Sequence, residues 1–270
     1  MKCKSYIRDT KDFLNKLQQI KNIPTNAKLV TMDVSSLYTN IDHNEGAEAC
    51  FERLENRNNK SVPSEILKRV ILLVLKSNIF RFGSRYYKQM NGCAMGTPMA
   101  PNVANLFMSK LESKIIHEHF LKTGHKPLVR MRYIDDIFFI WTGDDNSLQD
   151  FVNVANSFTE IHHWKSNIKF ETNISSEKVN FLDVEIGFKN NKIVTNLYNK
   201  PTDAHIYLNA HSCHPNHLIK NIPKRQYIRI KRICSEKADF QKHSQSLTEF
   251  FLQRGYSNTL LGKVFEDVKK

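Results

Sequence analysis

The sequence predicts an α+β fold: an antiparallel sheet with helices on one face and a helical appendage at its C-terminal end. Three observations predict it. Short apolar or alternating runs stop at acids, glycines and turn residues, as strands do. Longer segments between them carry apolar residues at helical spacing. After Pro215 the pattern is helical and basic to the end of the chain.

Taken in order, residues 1–28 predict an amphipathic helix with Phe13, Leu14, Leu17 and Ile20 on one face, ending near Pro24. The apolar run from Leu29 reaches an acid at Asp33 and predicts a buried strand. Asp42 followed three residues later by Glu45 resembles a capping box, opening a helix to about Asn56. A second helix follows Pro63, with Ile66, Val70 and Leu73, and Leu67, Ile71 and Val74, at helical spacing. Ile79–Phe82, Gly83-Ser84 and Arg85–Lys88 predict a hairpin with glycine first in a two-residue turn.

Gly96-Thr97-Pro98 is a loop, and Pro101 suits the first turn of a helix that carries Ala104, Phe107, Met108, Leu111 and Ile115. Arg130–Trp141 reads as two aromatic-rich half-strands meeting at Asp135-Asp136. A helix near Ser147–His162 turns Phe151, Val154, Ala155 and Phe158 inward. Ile168, Phe170, Thr172 and Ile174 alternate, as do Ile193, Thr195 and Leu197, and Val179–Ile186 lies between these strands.

Among 270 residues, 40 Lys and Arg oppose 27 Asp and Glu, a net charge of +13 that favours polyanions. From Asn199 onward there are 13 cations and 6 acids, about half of the excess. Apolar residues at 40% and charged residues at 25% argue against disorder. The longest aliphatic run, Val70–Leu75, is far short of the roughly 20 residues of a membrane span, so no membrane is expected. Cys3, Cys50, Cys93, Cys213 and Cys234 are scattered without a Cys-x-x-Cys, which excludes a disulfide framework and points to a reducing compartment.

Tyr133-Ile134-Asp135-Asp136 carries the chemistry. Two adjacent carboxylates repel, and one would be pushed neutral unless a divalent cation turned repulsion into coordination. An Asp-Asp pair can also be a surface turn, but this one sits inside an apolar and aromatic run. Asp33 ends a strand, where an acid serves as a turn residue or as a ligand in a cleft. Two strands of one sheet could bring Asp33, Asp135 and Asp136 to one point. Such a trio would hold two Mg²⁺ ions about 3.5–4 Å apart, one activating a 3′-hydroxyl and one neutralising a triphosphate. Tyr38, five residues after Asp33, is either a core ring or a ring that collides with a ribose 2′-hydroxyl.

Together, Tyr133–Asp136, Asp33 with Tyr38, and Gly96-Thr97-Pro98-Met99-Ala100-Pro101 resemble reverse transcriptases. Asp33-Val34-Ser35-Ser36-Leu37-Tyr38-Thr39-Asn40-Ile41, Asn180-Phe181-Leu182-Asp183-Val184 and Ser212-Cys213-His214-Pro215-Asn216-His217 resemble more narrowly the Penelope-like retroelements, relatives of telomerase. The resemblance implies a right-hand polymerase palm, ferredoxin-like in style, with a helical thumb and truncated fingers. On it, 1–28 is a fingers remnant, 29–198 the palm with a fingers-like insertion at 42–90, and 199–270 a basic, incomplete thumb.

The resemblance also implies roles. Asp33, Asp135 and Asp136 become ligands to two Mg²⁺ ions, with Mn²⁺ as a substitute. Tyr38 becomes a steric gate, and Gly96, Thr97 and Pro98 the floor under the nascent base pair. Lys178 becomes a general acid near the leaving pyrophosphate, and Phe181 and Leu182 part of a primer grip. Arg225, Arg229 and Arg232, at i, i+4 and i+7, become phosphate contacts. The implied partners are an RNA template, a DNA primer and deoxynucleoside triphosphates. The implied chain is a retrotransposon fragment, intracellular and nuclear, and either an RNA-directed DNA polymerase or an inactive nucleic-acid-binding remnant. His205, His211, Cys213, His214 and His217 contain one usable spacing for zinc and no second close pair.

Overall fold

The computed structural model describes residues 5–269. Met1–Lys4 and Lys270 lie outside the described residues, and with them Cys3 and the outermost ends of the expected N-terminal helix and C-terminal segment. In chain order the elements are α1 (Thr10–Leu17), β1 (Lys28–Val34), α2 (Leu37–Asn40), α3 (His43–Glu55), α4 (Ser64–Lys76), β2 (Ile79–Phe82), β3 (Arg85–Lys88), α5 (Ala100–Thr123) and β4 (Val129–Tyr133). They continue with β5 (Asp136–Trp141), α6 (Asp145–Ile161), β6 (Phe170–Ser175), β7 (Lys178–Phe181), β8 (Val184–Lys189), β9 (Lys192–Leu197), α7 (Asn216–Ile233), α8 (Lys237–Gln253) and α9 (Asn258–Lys269). The chain divides into two compact units, one from the N-terminus to Arg8 with Asn26–Ser175, the other Asp9–Thr25 with the residues from Ser176.

The first unit is built on an antiparallel sheet in the order β4-β5-β1-β6. Alternation sorts its side chains. Val30, Met32 and Val34 of β1 and Ile137, Phe139 and Trp141 of β5 share one face and enter a core with α3, α5 and α6. Phe107, Met108 and Leu111 of α5 and Phe151 and Phe158 of α6 fill it, each worth about 1.5–3 kcal/mol against exposure.

Helix starts follow local chemistry. The Asp42 carboxylate accepts from the Asn44 and Glu45 amides at 2.9 and 3.1 Å, as a capping box requires. Glu45 closes the box through an intermediary: the Ser166 hydroxyl donates to Glu45 and accepts from the Asp42 amide at 2.8 Å. Helix α4 forms as expected, yet Ile66, Val70 and Leu73 on it are exposed.

Two expectations need correction. The N-terminal helix covers only Thr10–Leu17, because the Asp9 carboxylate accepts from the Asp12 amide and starts it there. Residues 5–7 run extended beside β4, the Ile7 amide donating to Arg132 O at 2.9 Å and the Arg132 amide to Ser5 O at 2.7 Å. The single sheet is the second: the run from Val179 to Ile186 folds at Leu182-Asp183 into two strands, β7 and β8, that pair with each other. The strands accordingly form three sheets, with β2-β3 and β7-β8-β9 separate from the four-stranded one.

The second unit contains α1, that β7-β8-β9 meander and the helices α7–α9. Tyr227, Ile230, Phe251 and Leu261 lie in the core of its helical part.

Candidate active site

The β1–β5 register runs from Lys28↔Trp141 to Met32↔Ile137. One further step sets Asp33 opposite Asp136. Antiparallel partners share a face, and their Cα atoms lie about 4.5–5.5 Å apart. That face is the one opposite Val30, Met32 and Val34. Asp33 is exposed there, and Asp136 is half-buried.

Tyr133 and Asp136 close the β4–β5 hairpin, so Ile134 and Asp135 form its two-residue turn. Ile134 has φ +54°, a left-handed conformation costing a β-branched residue about 1–3 kcal/mol. The Arg132 guanidinium restrains it. Nη1 donates to Ile134 O and to Asn105 Oδ1, both at 2.8 Å, and Nη2 donates to Asn105 O at 3.0 Å. Arg132 is fully buried, and Glu112 on α5 balances it, with Nε 2.8 Å from Oε1. That approach is ionic rather than a hydrogen bond, since its angle leaves both atoms without a hydrogen-bond partner. Glu112 also accepts from Ser5 Oγ at 2.7 Å and lies 3.6 Å from Arg130.

Tyr38 is half-buried. Burial raises its phenol above the ordinary tyrosine range, and the charge of Asp135 raises it further, so the ring stays neutral beside the acidic turn. Its placement depends on Gly92. The Cys93 amide donates to Tyr38 O at 2.6 Å and the Gly92 amide to Ile41 O at 3.0 Å, while His43 Nε2 lies 2.8 Å from Gly92 O. A Cβ on Gly92 would lie 2.5 Å from Tyr38 O, and the residue has φ +82°. Cys93 is buried, and burial pushes its thiol up to about 11.

The Gly96-Thr97-Pro98 loop follows. Gly96 has φ +94° with open space around it, and Thr97 Oγ1 donates to Ala94 O at 3.0 Å. Gly96 and Pro98 are exposed. The structure therefore places Asp33 near the end of β1, Asp135 and Asp136 at the β4–β5 hairpin, and Tyr38 on α2 within electrostatic reach of Asp135. Arg132, Glu112, Asn105 and Gly92 support them and were missed in sequence. Arg132 directly precedes Tyr133, and a cation inside an apolar run was the available signal.

The donor chemistry suits a hard divalent cation, with three carboxylates from a strand end and a neighbouring turn. Among the described residues, no three His, Cys, Asp or Glu side chains already converge on one ion position. Magnesium does not require that, because it keeps waters and takes one or two carboxylates plus phosphate oxygens.

The second unit holds the remaining residues, and two expectations there are corrected. Phe181 is buried at 3% exposure and packs on Phe13 with ring centroids 4.8 Å apart, so its ring is unavailable to nucleic acid. Arg229 is committed to Asp183, with Nε and Nη2 both 2.8 Å from Oδ2. The same carboxylate accepts from Thr10 Oγ1 at 2.6 Å. Arg225 and Arg232 are exposed. Leu182 sits in the β7–β8 turn with φ +54°. Lys178 is exposed and 2.9 Å from Glu185, a hydrogen bond and ion pair that raise its pKa. His205, His211, Cys213, His214 and His217 form no three-ligand metal group among the described residues. No described helix is long and apolar enough to cross a membrane.

Comparison with known proteins divides the chain elsewhere, near residue 200. The family described as reverse transcriptase (RNA-dependent DNA polymerase) matches residues 4–197, and the animal helix-turn-helix domain matches residues 206–265. A telomerase reverse transcriptase of Oryza sativa subsp. japonica is 36% identical over 74 residues, 24% of this chain and 6% of that protein. Among solved structures, telomerase from Candida albicans in complex with a fragment of telomeric RNA superposes with a TM-score of 0.63 at 15% identity, over 98% of this chain and 45% of that one. A Sicinivirus RNA-dependent RNA polymerase gives a TM-score of 0.54 at 13% identity, over 96% of this chain and 54% of that one. These likenesses establish a polymerase palm-and-thumb type of fold, and the chain spans about half or less of each of these relatives.

Proposed function

The chain belongs to the reverse transcriptase family, and from that premise we propose that it transfers deoxynucleotides to a DNA primer 3′-hydroxyl under direction of an RNA template. The observation that supports this is the β1–β5 register, which runs to Met32↔Ile137 and, continued by one residue, would bring Asp33 opposite Asp136, next to the turn bearing Asp135. Asp33, Asp135 and Asp136 would hold two divalent cations, Mg²⁺ or in its place Mn²⁺. When bound, these would activate the 3′-hydroxyl and offset the triphosphate's charge.

The chain's own residues do the rest. Tyr38, neutral and half-buried beside Asp135, presents a ring where a sugar would lie and excludes a 2′-hydroxyl. Gly96, Thr97 and Pro98 lie on an exposed loop suited to the floor under a base pair. Lys178, protonated at neutral pH, is the group assigned to protonate the leaving pyrophosphate. Leu182 is assigned to primer contact, and Arg225 and Arg232 to phosphates. The Asp33–Ile41 and Ser212–His217 phrases support a Penelope-like retroelement as the source, acting in the nucleus.

Primer extension on an RNA template with Mg²⁺ tests the reading. The wild-type chain should extend and Asp135→Asn should not. Equal signal from both defeats the enzyme reading. Nucleic-acid binding without extension would leave the inactive, binding remnant.

A further inference from the structure

From Lys76 to Lys110 the chain contains no Asp or Glu, while Lys76, Arg81, Arg85, Lys88 and Lys110 are cations. At the centre of this stretch stands the β2–β3 hairpin. Every residue of both strands is exposed. Its register sets Phe80 opposite Tyr87 and Phe82 opposite Arg85 on one face, and Arg81 opposite Tyr86 and Ile79 opposite Lys88 on the other. One face thus offers Phe80, Phe82 and Tyr87 beside Arg85, and the other offers Tyr86 beside Arg81 and Lys88. Phe82 and Tyr86 are 77% and 73% exposed. Phe80 and Tyr87 already lie nearly parallel, with centroids 5.7 Å apart and planes 21° apart.

A two-stranded hairpin wet on both faces has no core of its own to bury these rings. Rings serving only to fold would be covered, and cations serving only for solubility would not alternate with rings. A ligand with flat apolar faces on an anionic backbone matches both features. Single-stranded nucleic acid is such a ligand, because its bases are free to stack on side chains. A duplex presents the same phosphates but keeps its base faces stacked inside.

We propose that the β2–β3 hairpin is a stacking platform for single-stranded nucleic acid that uses both faces, with Phe80 and Phe82 on one and Tyr86 on the other contacting bases, and Arg85 and Arg81 beside them contacting phosphates. The proposal rests on the polymerase reading only in taking nucleic acid as the partner. It requires neither bound metal nor catalysis.

The test uses fluorescence anisotropy of the full chain in EDTA without nucleotide. The probes are a labelled oligouridine of about 15 nucleotides, near one binding-site length, and a duplex of equal length. The combined Phe80→Ala, Phe82→Ala, Tyr86→Ala variant should lose at least tenfold in affinity for the single strand and under twofold for the duplex. Arg81→Gln with Arg85→Gln should lower the salt slope by about 1.4 for the single strand and by no more than about 1.8 for the duplex. All five positions are exposed, so thermal melting should not move. Equal loss on both probes, or loss on neither, overturns the proposal. So does a wild-type dimer that the ring variant dissociates while oligonucleotide affinity stays unchanged, which would make the surface a protein interface. If single-strand selectivity depends on the rings and primer extension is absent, the platform stands and the polymerase reading falls.

Discussion

Three residues bear on the acidic site without supplying a carboxylate to it. Arg132 is buried and paired with Glu112, so removing its charge would strand a carboxylate at a cost of about 3–5 kcal/mol and blur any local effect. Arg132→Lys keeps the charge and loses the planar fork that grips Ile134 O and Asn105 together. Hydrogen exchange at the Ile134–Asp136 amides should rise about tenfold or more, with melting nearly unchanged; unaltered exchange would show that the turn holds itself. Gly92 is the second. A methyl 2.5 Å from Tyr38 O, at φ +82°, cannot be absorbed by rotating a side chain. Gly92→Ala should cost about 2–4 kcal/mol in chemical denaturation. Tyr38 is the third, and Tyr38→Ala should raise ribonucleotide incorporation at least tenfold over deoxynucleotide in a competition assay, by about 1.4 kcal/mol of lost discrimination. No change in that ratio would return Tyr38 to the core.

At the scale of elements, two hairpins share one design. In β4–β5 and in β7–β8, an aromatic residue is followed by an aliphatic one at φ +54° and then by aspartate. Their aspartates have opposite fates. Asp183 is consumed by Arg229 and Thr10, whereas Asp135 lies next to Asp136 and close to Tyr38. Asp183→Asn should therefore destabilise the second unit by about 1 kcal/mol, the pair being partly exposed. Asp135→Asn should leave the melting temperature unchanged or higher, since it relieves like-charge repulsion, while abolishing extension. A loss of stability at Asp135 equal to that at Asp183 would make both turns structural. This contrast also shows what the sequence could reveal. Period and breakers identified β1, the β2–β3 and β4–β5 hairpins, α5 and α6, because those signals are local. Whether Arg229 faces phosphate or Asp183, or Phe181 faces solvent or Phe13, depends on partners far along the chain. Alternation specifies a face and not what lies against it, so those two assignments failed, whereas local signals alone were enough to single out Asp33, Asp135 and Asp136 as candidates.

At the scale of the whole molecule, charge separates a general attraction from specific contacts. The net +13 draws any polyanion, and such binding weakens linearly in log–log form as salt rises, by about 0.9 per phosphate neutralised on B-form duplex DNA and about 0.7 on single strands. Exposed, unbranched contacts should contribute to that slope, and committed ones should not. Arg225 and Arg232 are exposed on α7, whereas Arg229 between them is tied to Asp183. Titrating the full chain with duplex from low to physiological salt should give a slope that Arg225→Gln and Arg232→Gln each lower by nearly one. Arg229→Gln should lower it far less, and should instead reduce stability by freeing Asp183. A slope that falls equally for all three would mean that phosphate competes successfully with Asp183 for Arg229. The ion pair seen here would then be the resting arrangement of a helix face that rearranges when nucleic acid binds.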